Sequence, residues 1–254
     1  MKLLRDTSLI FQRQMQLLLR NPVWILVGVF QPVMYLLLFA PLLKPALAPM
    51  GATSDADTYR IFVPGLLVLL AIFGGLFQGF GLIAELRAGV IERSRVTPVS
   101  RLALLLGRCA RDVLSLLVQS AILVALALPF GLDVRVGDLG LAFAMLALIG
   151  LLFSSFSYGV ALVVRSEDAL APLLNSVTIP LLLLSGILLP LTLGPAWLRA
   201  IARWNPFSWS VDAARALFAG DPGDPHVWKA LVIVTVLAAV ASVWSARRFA
   251  TSVR

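Results

Sequence analysis

The sequence is poor in charge. Only 13% of its 254 residues are charged, whereas 60% are hydrophobic and the mean hydropathy is +0.95. A soluble domain has about 25% charged residues, because its surface must be polar enough to face water. The apolar excess excludes an ordinary soluble domain and predicts an integral membrane protein.

The residues and motifs of most enzymes are also missing. Cys109 is the single cysteine and His226 the single histidine, which excludes an internal disulfide and leaves too few ligands for a metal site. The patterns G-x-x-x-x-G-K-[ST], H-E-x-x-H and G-x-S-x-G do not occur. No Asp, Glu or Lys is expected in the middle of a membrane span, which argues against an intramembrane enzyme and against ion-driven transport. The sequence predicts no catalytic or metal-binding residue, and an energy source on another chain.

Arginine dominates the charge that remains. The net charge is +8, with 18 arginines and three lysines. They stand in short segments between apolar runs, which indicates lipid headgroups rather than nucleic acid as their partner. With the N-terminus inside, thirteen Lys and Arg residues fall on the cytoplasmic side and seven outside. The positive-inside rule therefore predicts that both termini are cytoplasmic.

Six apolar segments are long enough to cross a membrane as helices. They cover roughly 23–43, 61–84, 103–130, 139–164, 169–190 and 227–246. Before them, residues 1–22 carry apolar side chains at helical spacing among charges, which predicts an amphipathic helix in the membrane interface rather than a signal peptide or a mobile tail. No repeat or linker divides the chain, so 1–254 is predicted to be a single all-α membrane domain.

Uncharged polar residues inside the spans form a candidate substrate pathway. Such residues more commonly join helices by hydrogen bonds, so both roles stay open. The motif Gly75-x-x-x-Gly79 predicts a close helix contact, and a stripe of Phe73, Phe77 and Phe80 favours packing over a ligand platform. The candidate pathway residues are Gln31, Gln78, Gln119, Ser154, Ser157, Asn175 and Thr178.

Charge is concentrated in one stretch between the second and third spans, ELRAGVIERSRVTPVSR at 85–101, here called the charged segment. The second helix is predicted to continue into it as far as the break at Thr97-Pro98. Just beyond, Arg108 and Asp112 are expected to be neighbours at i,i+4 spacing. A solvated positive-inside loop and a docking surface for a cytoplasmic partner both fit this pattern.

A second unusual stretch, 191–226, is placed outside by the same topology. Trp197 belongs to an apolar face that suits the membrane interface. Asn205 and Pro206 are the expected N-cap and first residue of a second short helix. On that helix Asp212 and Arg215 are close enough to pair. The pattern predicts two short re-entrant helices before the last span.

With these features the chain resembles the type-2 (ABC-2) family of ABC transporter permeases, and within it the daunorubicin-resistance type. The resemblance covers nearly the whole chain and rests on RNPVW at 20–24, the six spans, the charged segment, and GPAWLRAIARWNPFSWSVDAAR at 194–215. It implies an ATP-driven exporter of a lipophilic or amphipathic compound, such as a drug, antibiotic or lipid, in the bacterial plasma membrane. An exporter of polysaccharide or lipo-oligosaccharide with the same fold is the alternative.

The resemblance also implies partners. The charged segment would form a coupling helix in a groove of a cytoplasmic ATP-binding subunit, which is present in two copies and holds ATP and Mg. A second permease copy or a paralogue would complete the assembly. A passive channel or a membrane scaffold is the rival class, and co-purification of an ATPase separates it from an exporter. The matching coupling positions are Glu85, Arg87, Gly89, Glu92, Arg93, Thr97, Pro98 and Arg101.

The topology predicts where introduced cysteines react. Cys109→Ser supplies the background, and we expect it to transport normally because Cys109 has no chemical partner in the sequence. In that background, Ser54→Cys and Gly223→Cys should react with an impermeant thiol reagent on intact cells, since both positions are predicted to face outside. Labelling that requires opening the cells would place these segments inside.

Overall fold

The computed structural model describes residues 2–21, 23–47, 54–89, 100–187 and 191–251. These residues form ten α-helices and two short 3₁₀ turns, and no strand occurs among them, which confirms the all-α prediction. The helices are α1 Lys2–Arg20, α2 Val23–Leu47, α3 Asp55–Leu76, α4 Gln78–Arg87, α5 Arg101–Ala127, α6 Val136–Val164, α7 Glu167–Ser185, α8 Ala196–Ala202, α9 Pro206–Phe218 and α10 Pro225–Thr251.

Within the described ranges, six helical segments are long and apolar enough to cross a membrane, as predicted. The fifth ends at Ser185 instead of at residue 190, because Gly186 takes a left-handed conformation (φ 68°) that stops the helix. The second begins earlier than predicted, because Ser54 and Asp57 cap α3 reciprocally. The segments are Leu26–Pro45, Asp55–Arg87, Arg101–Phe130, Val136–Val164, Glu167–Ser185 and Pro225–Phe249.

The second span is broken between a longer first helix and a shorter second one, which the sequence did not predict. It divides at Phe77 into α3 and α4. The Ser157 hydroxyl of α6 donates to the Leu76 carbonyl and accepts from the Gly79 N–H at 2.9 Å. Lipid offers no hydrogen bonds to backbone groups freed at a break, so protein groups must supply them. One serine therefore serves both sides of the break.

Small residues let the broken span lie close to α6. A Cβ added at Gly75 would stand 2.7 Å from the Cβ of Phe153, and one at Gly79 would stand 2.6 Å from the Oγ of Ser157. The close contact predicted from Gly75-x-x-x-Gly79 is thus confirmed, with α6 as the partner. Because α6 also packs on α5 and α10, it is the central helix of the bundle.

Helix α1 packs along α5 and leaves an apolar face uncovered. Its Ile10 lies against Gly107 of α5, where an added Cβ would be 2.7 Å from the Ile10 Cβ. Asp6 and Gln14 are buried. The helix predicted for 1–22 is confirmed as far as Arg20, and its place in the membrane interface stays a prediction. The exposed apolar side chains are Leu3, Leu4, Leu9, Leu17 and Leu19.

Two short helices, α8 and α9, precede the last span, as predicted for 191–226. The Asn205 side chain accepts a hydrogen bond from the Phe207 N–H at 3.0 Å, and Pro206 is the first residue of α9, so the predicted cap is confirmed. Trp197 and Trp204 are 63% and 85% exposed. Such exposure suits side chains at a lipid headgroup layer, although the re-entrant position of these helices stays a prediction.

Ser157→Ala tests the repair of the broken span. We expect the free energy of unfolding to fall by about 1–2 kcal/mol, because the Leu76 carbonyl and the Gly79 N–H lose their partner. Ser176→Ala is the matched control, since Ser176 is exposed and donates to the Leu173 carbonyl of its own helix at 2.8 Å. Unfolding in mixed detergent micelles measures both variants, and equal losses would contradict the assigned role.

Candidate functional site

A cavity of about 870 Å³ lies among the first three spans. Its walls come from α1 to α5, with Gly150 and Tyr158 of α6 and Glu167 of α7 completing them. The lining is mainly apolar, and its polar groups are few. A mostly apolar cavity with a few oriented polar groups is typical of a small-molecule site.

Three phenylalanines form one wall of this cavity, here called the aromatic wall. The rings of Phe73 and Phe77 are 5.9 Å apart at an angle of 20°, and those of Phe77 and Phe80 are 5.8 Å apart at 12°. These are offset-stacked arrangements. The stripe that favoured packing in the sequence therefore lines a cavity, and Phe77 remains 40% exposed.

The three glutamines of the predicted pathway also line the cavity. Gln31 donates to the Tyr35 hydroxyl at 3.4 Å, and Gln78 donates to the Gly74 carbonyl at 2.9 Å. Gln119 is buried, and its amide faces the cavity beside Gly28, where an added Cβ would be 2.8 Å from the amide nitrogen. The structure therefore brings these three side chains to one cavity, and their role in a substrate pathway stays a prediction.

The other four pathway residues do not line the cavity. Ser157 holds the break in the second span, and Ser154 donates to the Leu151 carbonyl at 3.4 Å. Thr178 donates to the carbonyl of Leu174 in its own helix at 2.7 Å. Asn175 is exposed on α7. Ser154, Ser157 and Thr178 therefore form hydrogen bonds with backbone groups of the helices.

Four charged side chains and a tyrosine form a cluster at one end of the cavity. Glu85 Oε2 lies 2.5 Å from Arg108 Nη2, and Arg111 Nη2 lies 2.7 Å from Asp112 Oδ1. The Tyr158 hydroxyl donates to Asp112 Oδ2 at 2.5 Å. The cluster therefore links α4, α5 and α6 while each buried guanidinium faces a carboxylate.

The sequence did not predict this cluster. Arg108 and Asp112 are expected to be neighbours, but Arg108 pairs across with Glu85, while Asp112 forms an ion pair with Arg111 and accepts a hydrogen bond from Tyr158 of α6. The expectation that no Asp, Glu or Lys lies in the middle of a span is wrong, since Asp112 is buried eleven residues into α5, about 16 Å along its axis. The spacing R-x-x-R-D at 108–112 could have indicated the cluster, because it places three charged residues on adjacent turns of a predicted span.

The described part of the charged segment is tied to its neighbours. Arg87 Nη1 of α4 lies 3.2 Å from Glu167 Oε1 at the start of α7. The helix predicted to continue to Thr97-Pro98 stops at Arg87, and Gly89 has a φ of 67°, which favours glycine. Arg101 is the first residue of α5. Glu92, Arg93, Thr97 and Pro98 lie outside the described residues.

At the opposite end of the bundle, Arg215 of α9 joins three elements. It donates to the carbonyls of Gly186 at 2.7 Å and Ile61 at 3.2 Å, and it stands 3.8 Å from Asp212, which confirms the predicted pair. Burial lowers the pKa of the Arg215 guanidinium to about 10, against the opposing charge of Asp212. Arg215 therefore stays charged at neutral pH and satisfies carbonyls where α7 ends. Within the described ranges no three His, Cys, Asp or Glu side chains are grouped to hold a metal ion.

Arg108→Met tests the pair that joins α4 to α5. We expect a loss of about 2 kcal/mol in unfolding free energy, because Glu85 stays partly buried without its partner, and Glu85→Gln should restore about half of it. Lys44 and Asp55 form the control pair, with 2.7 Å between charges but side chains 44% and 70% exposed. Their coupling should stay below about 1 kcal/mol. Equal coupling energies in the two double-mutant cycles would contradict this.

Comparison with known proteins agrees with this architecture. The family model described as ABC-2 type transporter matches residues 5–219. The chain is 31% identical over 226 residues to the daunorubicin resistance ABC transporter permease protein DrrB1 of Streptomyces coeruleorubidus, covering 88% of this chain and 77% of that protein. It is 28% identical over 207 residues to the ycf38 protein of Cyanophora paradoxa, whose name describes a transport permease, covering 79% and 69% respectively. The six apolar helices and the family match together make this chain a multi-pass membrane protein that belongs to the ABC-2 family of transporters.

Proposed function

We propose that this chain is the membrane-spanning subunit of an ATP-driven exporter that moves a lipophilic or amphipathic compound out across the bacterial plasma membrane. A drug, an antibiotic or a lipid fits this class. The observation that carries the proposal is the cavity of about 870 Å³, mainly apolar and placed among membrane-length helices. The likeness to a relative named for daunorubicin resistance supports the same cargo class.

An exporter of polysaccharide or lipo-oligosaccharide is the second candidate. The observation that favours it is the group of hydrogen-bonding side chains in the cavity, including Gln31, Gln78 and Gln119. Sugars also pack on aromatic rings, and the aromatic wall would serve them as well. ATP-dependent transport into inside-out vesicles separates the two candidates, with a lipophilic dye and an oligosaccharide each tested as a competitor. The compound of the transported class should inhibit transport, and the other compound should not.

The energy source of this exporter is a separate ATP-binding chain. In the proposed assembly two copies of that chain hold ATP and Mg²⁺ on the cytoplasmic side, beside a second permease copy or a paralogue. Both termini and the charged segment face the cytoplasm. The position of the segment supports this arrangement, because it begins in the last turn of α4, where Glu85 pairs with α5 and Arg87 pairs with α7. In the proposed assembly, a displacement of the segment by the ATP-binding chain is transmitted to the second, third and fifth spans.

Reversal of two charges tests the proposed coupling surface. Glu92→Lys with Arg93→Glu should leave insertion intact, because three arginines and the new lysine still mark the segment as cytoplasmic. It should abolish export and weaken retention of the ATP-binding chain, since reversing charges at a desolvated interface typically costs about 2–5 kcal/mol. In a solvated loop the cost would stay below about 1 kcal/mol. Pull-down with tagged permease, alongside transport in vesicles, measures both effects.

The control is a charge reversal of the same size on the side predicted to face outside. Asp133→Lys with Arg135→Glu changes two exposed side chains in the connection between α5 and α6. This variant should transport and retain the ATP-binding chain like the wild type. If the reversal at 92 and 93 behaves like this control, those two residues are solvated markers of topology and the coupling surface lies elsewhere.

A further inference from the structure

We propose that Arg215 is a reversible clamp that fastens the end of the fifth span to the second span, and that the permease opens at this end when the clamp is released. The clamp consists of the Arg215 guanidinium and the two carbonyl groups that it holds, those of Ile61 on α3 and of Gly186 at the end of α7. By the predicted topology this end faces outside. The inference rests on the proposed function, because release of the clamp belongs to the transport cycle of an exporter.

The base of the clamp is fixed by packing. Helix α9, which carries Arg215, contacts α3, α6 and α10, and seven of its thirteen residues are buried. The Ser208 hydroxyl in its first turn donates to the Ala202 carbonyl of α8 at 2.8 Å. These contacts hold α9 in the bundle without any contribution from Arg215. The buried residues are Ser208, Ser210, Val211, Ala213, Ala214, Leu217 and Phe218.

The element that the clamp holds, α7, is attached to the rest of the chain along a narrow stripe. Only four of its nineteen residues are buried, and three of them recur every fourth residue, which places them on one face. Pro172 and Pro180 each remove a backbone N–H from the interior of the helix, which weakens its hydrogen-bond ladder. Little packing within this chain therefore opposes a displacement of the end of α7. The four buried residues are Leu170, Leu174, Thr178 and Ser185.

A close backbone contact brings the two carbonyls within reach of one side chain. The Ile187 carbonyl, just after the end of α7, lies so near Gly65 of α3 that no Cβ would fit at that glycine. Beside this contact, Arg215 Nη2 donates to the Gly186 carbonyl at 2.7 Å and Nε donates to the Ile61 carbonyl at 3.2 Å. The planar fork of a guanidinium serves both acceptors at once, which the compact ammonium group of lysine does not.

The charge of Arg215 is only partly compensated in the clamp. Its two acceptors are neutral, and Asp212 stands 3.8 Å away with a side chain that is 50% exposed. Burial lowers the pKa of Arg215 to about 10 even though Asp212 opposes this change. Release would return the guanidinium to water, and the hydration gained offsets part of the hydrogen bonds lost. The clamp is therefore suited to opening and closing, unlike the pair of Arg108 and Glu85, in which a buried guanidinium faces a carboxylate.

The reactivity of a buried cysteine measures whether the clamp is closed. Ile187 is wholly buried, so Ile187→Cys in the Cys109→Ser background reports when the end of α7 leaves α3. Full-length permease, with the ATP-binding chain that co-purifies, is placed in lipid nanodiscs, where a soluble thiol reagent reaches both faces. Ala142→Cys in the same background lies at a buried position of α6 and reports on the packing of the bundle itself.

Three arginine variants test the clamp without nucleotide. Arg215→Met should make Ile187→Cys react about tenfold faster or more, because the end of α7 loses hydrogen bonds to a charged donor. Arg215→Lys should give an intermediate rate, since the charge is kept and the fork is lost. Arg203→Met removes an exposed arginine at the end of α8 and is the matched control, with a wild-type rate. Ala142→Cys should stay unreactive in all three variants.

Turnover tests the release of the clamp in a chain that keeps Arg215. We expect ATP with Mg²⁺ to raise the reaction rate of Ile187→Cys about threefold or more, whereas ADP should leave it unchanged. A static brace would hold Ile187 buried under both conditions. This measurement does not depend on whether an Arg215 variant folds.

Three results would overturn the clamp. They are equal rates for Arg215→Met and Arg203→Met, a rate in the chain with Arg215 that ATP leaves unchanged while transport proceeds, and reaction of Ala142→Cys in the Arg215→Met variant. The last would make Arg215 a brace of the whole bundle. If no ATP-binding chain co-purifies, or if ATP drives no transport, the export proposal fails instead, and the two methionine variants still decide whether Arg215 holds the end of α7.

Discussion

Lipid contains no water that could satisfy a free backbone group, and this constraint governs the centre of the protein. The second span breaks at Phe77, and the hydroxyl of Ser157 serves both sides of the break. That hydroxyl is within reach only because Gly75 and Gly79 let the span approach α6 closely. Since the aromatic wall spans this break, with Phe73 on α3 and Phe80 on α4, the shape of the cavity depends on the contact between this span and α6.

The charged cluster obeys the same constraint in a different way. Buried ion pairs are weak contributors to stability when compared with well-packed apolar groups, so net stabilisation alone does not account for Glu85, Arg108, Arg111 and Asp112 within the bundle. What the pairs do fix is which helices meet. The buried guanidinium of Arg108 needs a carboxylate at the position that Glu85 has on α4. Asp112 of α5 in turn needs the hydroxyl of Tyr158 on α6. The cluster thus specifies a three-helix arrangement at the end of the cavity.

Features encoded locally could be predicted from the sequence. Six apolar runs gave six spans, the Asn205-Pro206 pair gave the start of α9, and Gly75-x-x-x-Gly79 gave a close helix contact. The break at Phe77 was missed because the residue that repairs it, Ser157, is about eighty positions away in the chain. The carbonyl contacts of Arg215 were missed for the same reason, since Ile61 is 154 positions away. Periodicity reports the face of one helix and carries no information on which helix that face meets.

Helix α4 connects these observations. Its first turn follows the hinge at Phe77 and carries Phe80 of the aromatic wall, and its last turn carries Glu85 and Arg87, which pair with α5 and α7. The charged segment begins in that last turn. One ten-residue helix therefore carries part of the cavity wall at one end and the first residues of the charged segment at the other. Ser157 of α6 holds the first end through the Gly79 N–H, so the wall and the segment both depend on how α4 is fixed against its neighbours.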